Sequence, residues 1–139
     1  MSNPNAKFKL QISLLRISIG IIYLWFGALK YFPGVSPAEE LAKETIRLLT
    51  FGLIESNLSL LLLAIWETVI GILLITGLFR KYSFWLVLVH MFLTFTPLVL
   101  LPHMSFNQLP FSLTLVGQYI IKNIVIICGL FVVNSFEQK

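Results

Sequence analysis

The chain has 139 residues, of which 58% are hydrophobic and 12% are charged, with a net charge of +4. A soluble domain carries about 25% charged residues, and this chain has too little polar surface to cover so much apolar material. The composition therefore excludes a soluble globular protein and predicts a single domain over residues 1–139 that is covered by lipid. The basic residues are scattered along the sequence, which argues against nucleic acid as a partner.

Four apolar segments are long enough to cross a bilayer, since about 20 helical residues span a hydrocarbon core of roughly 30 Å. Arg16 lies one turn inside the first segment and can extend to the headgroups, whereas Lys30 lies at its other end, where interfacial anchors belong. The sequence predicts an all-α membrane protein, a bundle of four transmembrane helices. The predicted spans are residues 12–32, 58–78, 82–101 and 113–133.

A short amphipathic helix is predicted between the first two spans, over residues 37–51. Ser36 is the expected N-cap, Pro37 the first helical residue, and Glu39 the acidic residue three positions after the cap. The segment is too short and too charged to span the bilayer. We expect it to lie flat on the membrane surface or to fold over the end of the bundle, and a plain connector is the alternative. Residues 102–111 are predicted to be a loop.

The basic residues predict the orientation of the bundle in the membrane. With four spans, both termini share a side with the turn at residues 79–82, and this side carries six basic residues. The other side carries three basic residues together with four glutamates. The termini are therefore expected to be cytoplasmic.

Several polar residues lie near the middle of the predicted spans. Glu67 and Lys122 are equally far from the starts of their spans, and His90 and Tyr23 lie at comparable levels. A charged side chain at this depth costs about 3 kcal/mol on insertion scales, so Lys122 needs a partner. Glu67 is the only acidic residue inside an apolar run, and it is the expected partner of Lys122.

Two interpretations of this polar layer are open. In the first, the layer is structural, and its hydrogen bonds, worth about 0.6–2 kcal/mol each, set the registry of the helices. In the second, which we favour because intramembrane ionisable residues are functional by default, it is a pocket that handles a ligand or protons. The candidate catalytic residues are then Glu67, His90 and Lys122, of which Glu67 and His90 would carry protons. The candidate ligand-binding residues are Tyr23, Gln118, Tyr119 and Asn123. Of these, Gln118 and Asn123 would bind, together with Lys122, a polar head such as a quinone carbonyl or an anion.

The sequence predicts no metal site. His90 and His103 are too far apart along one helix to share an ion, and a haem held by His90 alone is a weak alternative, because nothing else indicates one. Cys128 is the only cysteine, so the chain has no intramolecular disulfide and no Cys-x-x-Cys dithiol.

Three stretches together resemble the DoxX-like family of small four-helix bacterial membrane proteins. They are Arg16 followed by Gly20-x-x-Tyr23-x-Trp25-Phe26-Gly27-x-x-Lys30, Trp66-Glu67 followed by Gly71, and Gly117-Gln118-Tyr119-x-x-Lys122-Asn123. The resemblance covers about residues 12–133 and implies a compact multi-pass bundle in the bacterial inner membrane. It adds Arg16 and Lys30 to the candidate ligand-binding residues. Relatives in this family have been linked to thiosulfate:quinone oxidoreduction, as a membrane subunit, and to resistance against quinone, thiol or chlorine stress.

The leading hypothesis is a DoxX-like protein that binds a quinone-like or other small amphipathic molecule in a redox or detoxification pathway, together with a redox partner protein. Whether the chain is an enzyme stays open; an enzymatic role would be that of a quinone-linked oxidoreductase subunit. One alternative is a transporter or channel component that uses Glu67 and Lys122 as a proton-coupled pair. Another is a structural subunit of a larger complex. A homodimer is also considered, because Gly20, Gly27 and Gly71 allow close helix approach.

Overall fold

The structure, a computed structural model, describes residues 4–137. Within this range four segments are long and apolar enough to cross a membrane, namely Asn5–Leu29, Ser56–Thr76, Arg80–Leu100 and Leu115–Glu137. The predicted all-α, four-span architecture is therefore confirmed. The elements in chain order are α1 (Pro4–Leu29), α2 (Glu39–Leu49), α3 (Ser56–Thr76), α4 (Arg80–Phe95), α5 (Pro97–Leu100), α6 (Pro102–Ser105), β1 (Phe106–Gln108), β2 (Ser112–Leu113) and α7 (Leu115–Glu137).

The four long helices form a ring in which each contacts two others. α1 packs against α3 and α7, and α4 packs against the same two helices from the opposite side. The apolar core lies inside this ring, and Ile70 and Val87 are fully buried there. We call the end of the bundle that carries α2 and the β1–β2 hairpin the α2 end. The opposite end, where α1 begins and α7 ends, is called the Arg16 end.

Glycines allow α1 and α3 to approach closely. A Cβ atom on Gly71 would lie 2.6 Å from Leu24 Cγ and 2.9 Å from the Gly20 carbonyl oxygen, and a Cβ on Gly27 would lie 3.1 Å from Glu67 Cβ. Small residues permit this kind of backbone contact between membrane helices. The glycines that suggested a dimer contact are therefore used inside the chain, and the structure gives a homodimer no support.

α2 folds over one end of the bundle, the second of the two expected placements. Leu41 packs against Leu101 and Ile120 in a small apolar cluster. The predicted start signal is wrong: α2 begins at Glu39 without a side-chain cap, and Ser36 Oγ is buried with no hydrogen-bond partner in the described part of the chain.

Glu39 itself ties down the start of α2. Its Oε2 atom accepts a hydrogen bond from the Gly34 N–H at 2.7 Å, and Oε1 accepts one from Lys43 Nζ at 2.6 Å. Gly34 has a positive φ of 77°, which a glycine adopts without steric cost. A carboxylate is a stronger acceptor than a hydroxyl, so Glu39 closes this turn and Ser36 does not.

The third span is interrupted near the α2 end. α4 ends at Phe95, and α5 begins at Pro97, which has no N–H to continue the helical ladder. The predicted loop at residues 102–111 instead contains α6 and most of an antiparallel hairpin. Thr114 then starts α7, because its Oγ1 accepts a hydrogen bond from the Gly117 N–H at 3.1 Å.

Candidate functional site

A buried ion pair joins α1 to α3. Lys30, one residue beyond the end of α1, places its Nζ atom 2.6 Å from Glu67 Oε2, and both residues are less than 10% exposed. The same Nζ donates to the Phe26 carbonyl oxygen at 3.3 Å. The absence of a side chain at Gly27 lets α3 come near enough for this contact. Lys30 is therefore turned inward, and its expected role as an interfacial anchor is wrong.

His90 of α4 links this ion pair to a tyrosine on α1. His90 Nε2 lies 3.3 Å from Glu67 Oε1, and His90 Nδ1 lies 3.0 Å from the hydroxyl oxygen of Tyr23. An ionised carboxylate only accepts hydrogen bonds, so the network assigns the proton to Nε2 and leaves Nδ1 to accept from the Tyr23 O–H. We call Tyr23, Lys30, Glu67 and His90 the polar cluster.

The polar cluster is balanced in charge and continuous in hydrogen bonding. One ammonium faces one carboxylate, so the cost of burying the two charges is offset by direct pairing, and the His90 ring connects this pair to Tyr23. The hydrogen bonds run in one direction: the Tyr23 O–H donates to His90 Nδ1, and the His90 Nε2–H donates to Glu67. Connected donors and acceptors of this kind are the arrangement that proton transfer requires.

An aromatic groove of about 340 Å³ lies beside the polar cluster, on the surface formed by α3 and α4. Trp66, Tyr82, Trp85, Leu86 and Val89 line it. The centroid of the Trp66 ring is 6.1 Å from that of His90. Trp66 Nε1 is buried, and within residues 4–137 it has no hydrogen-bond partner. A buried unpaired donor costs about 1–3 kcal/mol, and an acceptor placed at this N–H would remove that cost.

Sequence reasoning missed the role of Trp66. Tryptophan in membrane proteins is concentrated at the two interfaces, where the indole N–H reaches water. Trp66 lies in the middle of an apolar run instead, next to Glu67, and that position was the available signal.

Lys122 is not part of the polar cluster. It is exposed on α7, and its Nζ lies 5.6 Å from the centroid of the Tyr119 ring. Gln118 and Tyr119 are exposed as well, and Asn123 is half-buried. The expected Glu67–Lys122 pair is wrong, because equal depth along two helices does not set which way each helix is rotated. Lys30 occupies the position beside Glu67 that Lys122 was expected to take.

Arg16 is also buried, and it does not extend to the headgroups as expected. Its Nε atom lies 2.9 Å from Glu137 Oε1, and its guanidinium donates to the carbonyl oxygens of Leu74 and Ile75 at the end of α3. These carbonyls have no partner within their own helix. The cavity next to Arg16 measures about 20 Å³, which is room for a single water molecule. Arg16 thus lies apart from the polar cluster, in a contact between helix ends.

Both ring nitrogens of His90 are engaged in hydrogen bonds within the polar cluster. An axial haem ligand needs one of them free. Among the described residues, no group of three or more histidine, cysteine or acidic side chains could hold a metal ion.

These features define a class: a multi-pass membrane protein whose four spans close around buried ionisable side chains. Residues 11–101 match the family model described as DoxX, which is more than half of the chain. The chain belongs to the DoxX family. The match runs from within α1 to just beyond α5 and does not include α7. Comparisons with curated proteins and with solved structures found no match.

Proposed function

We propose that the protein binds a small amphipathic molecule of quinone type in the aromatic groove and exchanges protons with it through the polar cluster. The observation that carries this proposal is the buried, unpartnered N–H of Trp66, a residue that lines the groove and whose ring centroid lies 6.1 Å from that of His90. A quinone carbonyl is an acceptor that this donor lacks. Aromatic and aliphatic walls such as those of Tyr82, Trp85 and Val89 suit a flat ring with an apolar tail.

The polar cluster supplies the proton chemistry of the proposal. Reduction of a quinone to a quinol takes up two electrons and two protons. His90 would hold or release protons, Glu67 would orient its imidazole, and Lys30 would keep Glu67 ionised. Tyr23 would connect the other ring nitrogen. The electrons would come from a redox partner protein, which makes this chain a quinone-linked oxidoreductase subunit.

The proposed setting is the bacterial inner membrane with cytoplasmic termini. It rests on the excess of basic residues on the side of the termini. The Arg16 end of the bundle would then face the cytoplasm, and α2 would lie on the opposite side. Cysteine mutants in vesicles, labelled with a membrane-impermeant thiol reagent, test this orientation.

A structural role is the second candidate, and it has its own supporting observation. Every member of the polar cluster already has a partner within the described chain, as a registry device requires. The hypothesis of a transporter with a Glu67–Lys122 pair lacks this contact, because Glu67 pairs with Lys30 and His90 instead.

The decisive experiment titrates the purified protein in lipid nanodiscs with a short-chain benzoquinone and follows thermal stability and tryptophan fluorescence. We expect saturable stabilisation that Trp66→Phe weakens about tenfold, the value of one lost hydrogen bond to a buried donor. Trp25→Phe is the matched control, because Trp25 is 68% exposed on α1. His90→Gln should keep binding, because the proposed hydrogen bond to the quinone carbonyl comes from Trp66.

Two results would contradict the proposal. The first is no saturable effect of the quinone, and the second is equal weakening by Trp66→Phe and Trp25→Phe. Either of them would leave the structural role as the better account of the polar cluster.

A further inference from the structure

α7 presents a partly polar face that no other element of residues 4–137 covers. Of its most apolar stretch only 22% is buried, against 33% to 39% in the other three spans. Five exposed residues of α7 recur at helical spacing and therefore share one face of the helix. They are Leu115, Gln118, Tyr119, Lys122 and Val125. We call these five residues the α7 face.

The position of Lys122 makes this face unsuited to lipid alone. Lys122 lies two helical turns into α7, roughly 10 Å from its start, and the Gln118 amide adds a second polar group one turn away. Exposed polar side chains of this kind in a hydrocarbon environment are costly and normally face protein. Within residues 4–137 no carboxylate lies at ion-pair distance from Lys122, and its described contact is with the Tyr119 ring.

A second copy of this chain does not supply the missing acceptor. The sequence has six acidic residues, all glutamates. Glu67 is buried against Lys30 and His90, and Glu137 is paired with Arg16. Of the other four, three lie in α2, and Glu55 lies directly before α3, so all four are outside the spans. A twofold contact through the α7 face would moreover bring one Lys122 towards the other, and like charges repel most strongly away from water.

We infer that the α7 face is the docking surface for a transmembrane helix of another protein, one that carries a carboxylate at the depth of Lys122. The ammonium would pair with this carboxylate, and Gln118 would hydrogen-bond to the partner's backbone or side chains. Leu115 and Val125 would pack above and below the pair. This inference uses residues outside the polar cluster and the groove, so it stands or falls independently of the proposed quinone function.

The test measures association of the full-length protein with synthetic polyleucine transmembrane helices in phosphatidylcholine vesicles, by energy transfer between dyes. One helix carries a single glutamate placed at the depth of Lys122, and two others carry glutamine or leucine there. We expect the glutamate helix to bind about tenfold more tightly than the leucine helix, because the pair removes an uncompensated charge from lipid. Lys122→Met should abolish this preference, and Lys122→Arg should keep it.

Lys81→Met is the matched control, because Lys81 is an exposed lysine at the Arg16 end, far from Lys122 along the bundle. It should leave the preference for glutamate unchanged. Equal binding of the three helices would overturn the inference, as would an unchanged preference in Lys122→Met. The thermal midpoints of the variants are measured as well, so that a lost preference for the glutamate helix can be distinguished from unfolding.

A photo-reactive amino acid at Val125, which is 74% exposed, gives a second test in native membranes. The inference requires a cross-link to a transmembrane segment that contains a carboxylate, and this cross-link must disappear in Lys122→Met. A product of twice the mass of the chain, unaffected by Lys122→Met, would show a contact between copies and overturn it.

Discussion

Lys30 and Lys122 are both lysines of the four-helix region, but their surroundings are opposite. Lys30 is buried, and its ammonium meets the Glu67 carboxylate at 2.6 Å. Lys122 is exposed, and its described contact is the Tyr119 ring at 5.6 Å. The ammonium of Lys30 has a carboxylate partner within the chain, whereas the described contact of the Lys122 ammonium is an aromatic ring. The comparison teaches that depth in the membrane alone does not assign a charged residue to the interior of its own bundle.

The difference between the two lysines has a steric cause. At Gly20, Gly27 and Gly71 the backbones of α1 and α3 come close enough for Lys30 to reach across. α7 has its own glycines, Gly117 and Gly129, but they face Ser105 and the side chains of Leu15 and Ile19. Neither brings the α7 face near a carboxylate.

The largest expected effect comes from breaking the satisfied pair. Lys30→Met should lower the free energy of unfolding by about 3–5 kcal/mol, because it leaves the Glu67 carboxylate buried without its cation. Titration with sodium dodecyl sulfate in mixed micelles measures this loss. The double variant Lys30→Met/Glu67→Met should recover much of it, since both charges are then gone. A loss below about 1 kcal/mol in the single variant would contradict the burial of the pair.

The second-largest expected effect comes from the close glycine contact between α1 and α3, which permits the Lys30–Glu67 pair. Gly71→Ala should cost about 1–3 kcal/mol, because the new methyl group would lie 2.6 Å from Leu24 Cγ and force the helices apart. Gly129→Ala is the matched control, since its nearest neighbour, Ile19 Cδ1, would lie 3.3 Å away. The same detergent titration should show Gly129→Ala neutral or stabilising. Equal losses in the two variants would argue against the close crossing of α1 and α3.

A smaller effect concerns the segment that connects Lys30 to α2. The hydrogen bond from Lys43, and after it the one from the Gly34 N–H, hold the pKa of Glu39 below its usual value of 4.5. A lowered carboxyl pKa means that the contact stabilises the fold above that usual value and is lost as the pH falls through the folded-state pKa. Hydrogen exchange of residues 34–49 should therefore accelerate below about pH 4.5 beyond its intrinsic pH dependence.

The Glu39→Gln variant should show this faster exchange already at neutral pH. Glu40→Gln is its control, because the Glu40 side chain is 82% exposed. If the acid-induced change survives in Glu39→Gln, Glu39 is not the group responsible for it.

The smallest expected effect is at the second lysine. Lys122→Met should change the free energy of unfolding of the isolated protein by no more than about 0.5 kcal/mol, as for other exposed sites without a structural role. The measurement is again the detergent titration, run beside Lys30→Met. A loss comparable to that of Lys30→Met would mean that Lys122 is satisfied inside the chain, and it would remove the contrast between the two residues.

Much of the fold could be predicted from the sequence, because hydrophobic length and turn residues determine spans. The level of the polar layer was also predictable, and Tyr23, Glu67 and His90 do meet there. The rotation of each helix was not, since it depends on close contacts such as that of Gly27 with Glu67. For that reason Lys30 was assigned to the interface and Lys122 to the interior, whereas the structure buries Lys30 and leaves Lys122 exposed on α7.

The contact of Arg16 with Glu137 determines how late in synthesis the charge of Arg16 is paired. Arg16 belongs to the first helix of the described chain, and Glu137 ends the last one. The carbonyl oxygens of Leu74 and Ile75 can accept from Arg16 once α3 has been inserted, but its charge is balanced only when Glu137 arrives. A chain that has been synthesised only as far as α4 therefore carries Arg16 without its carboxylate, and the closing of the Arg16 end depends on the last residues of α7.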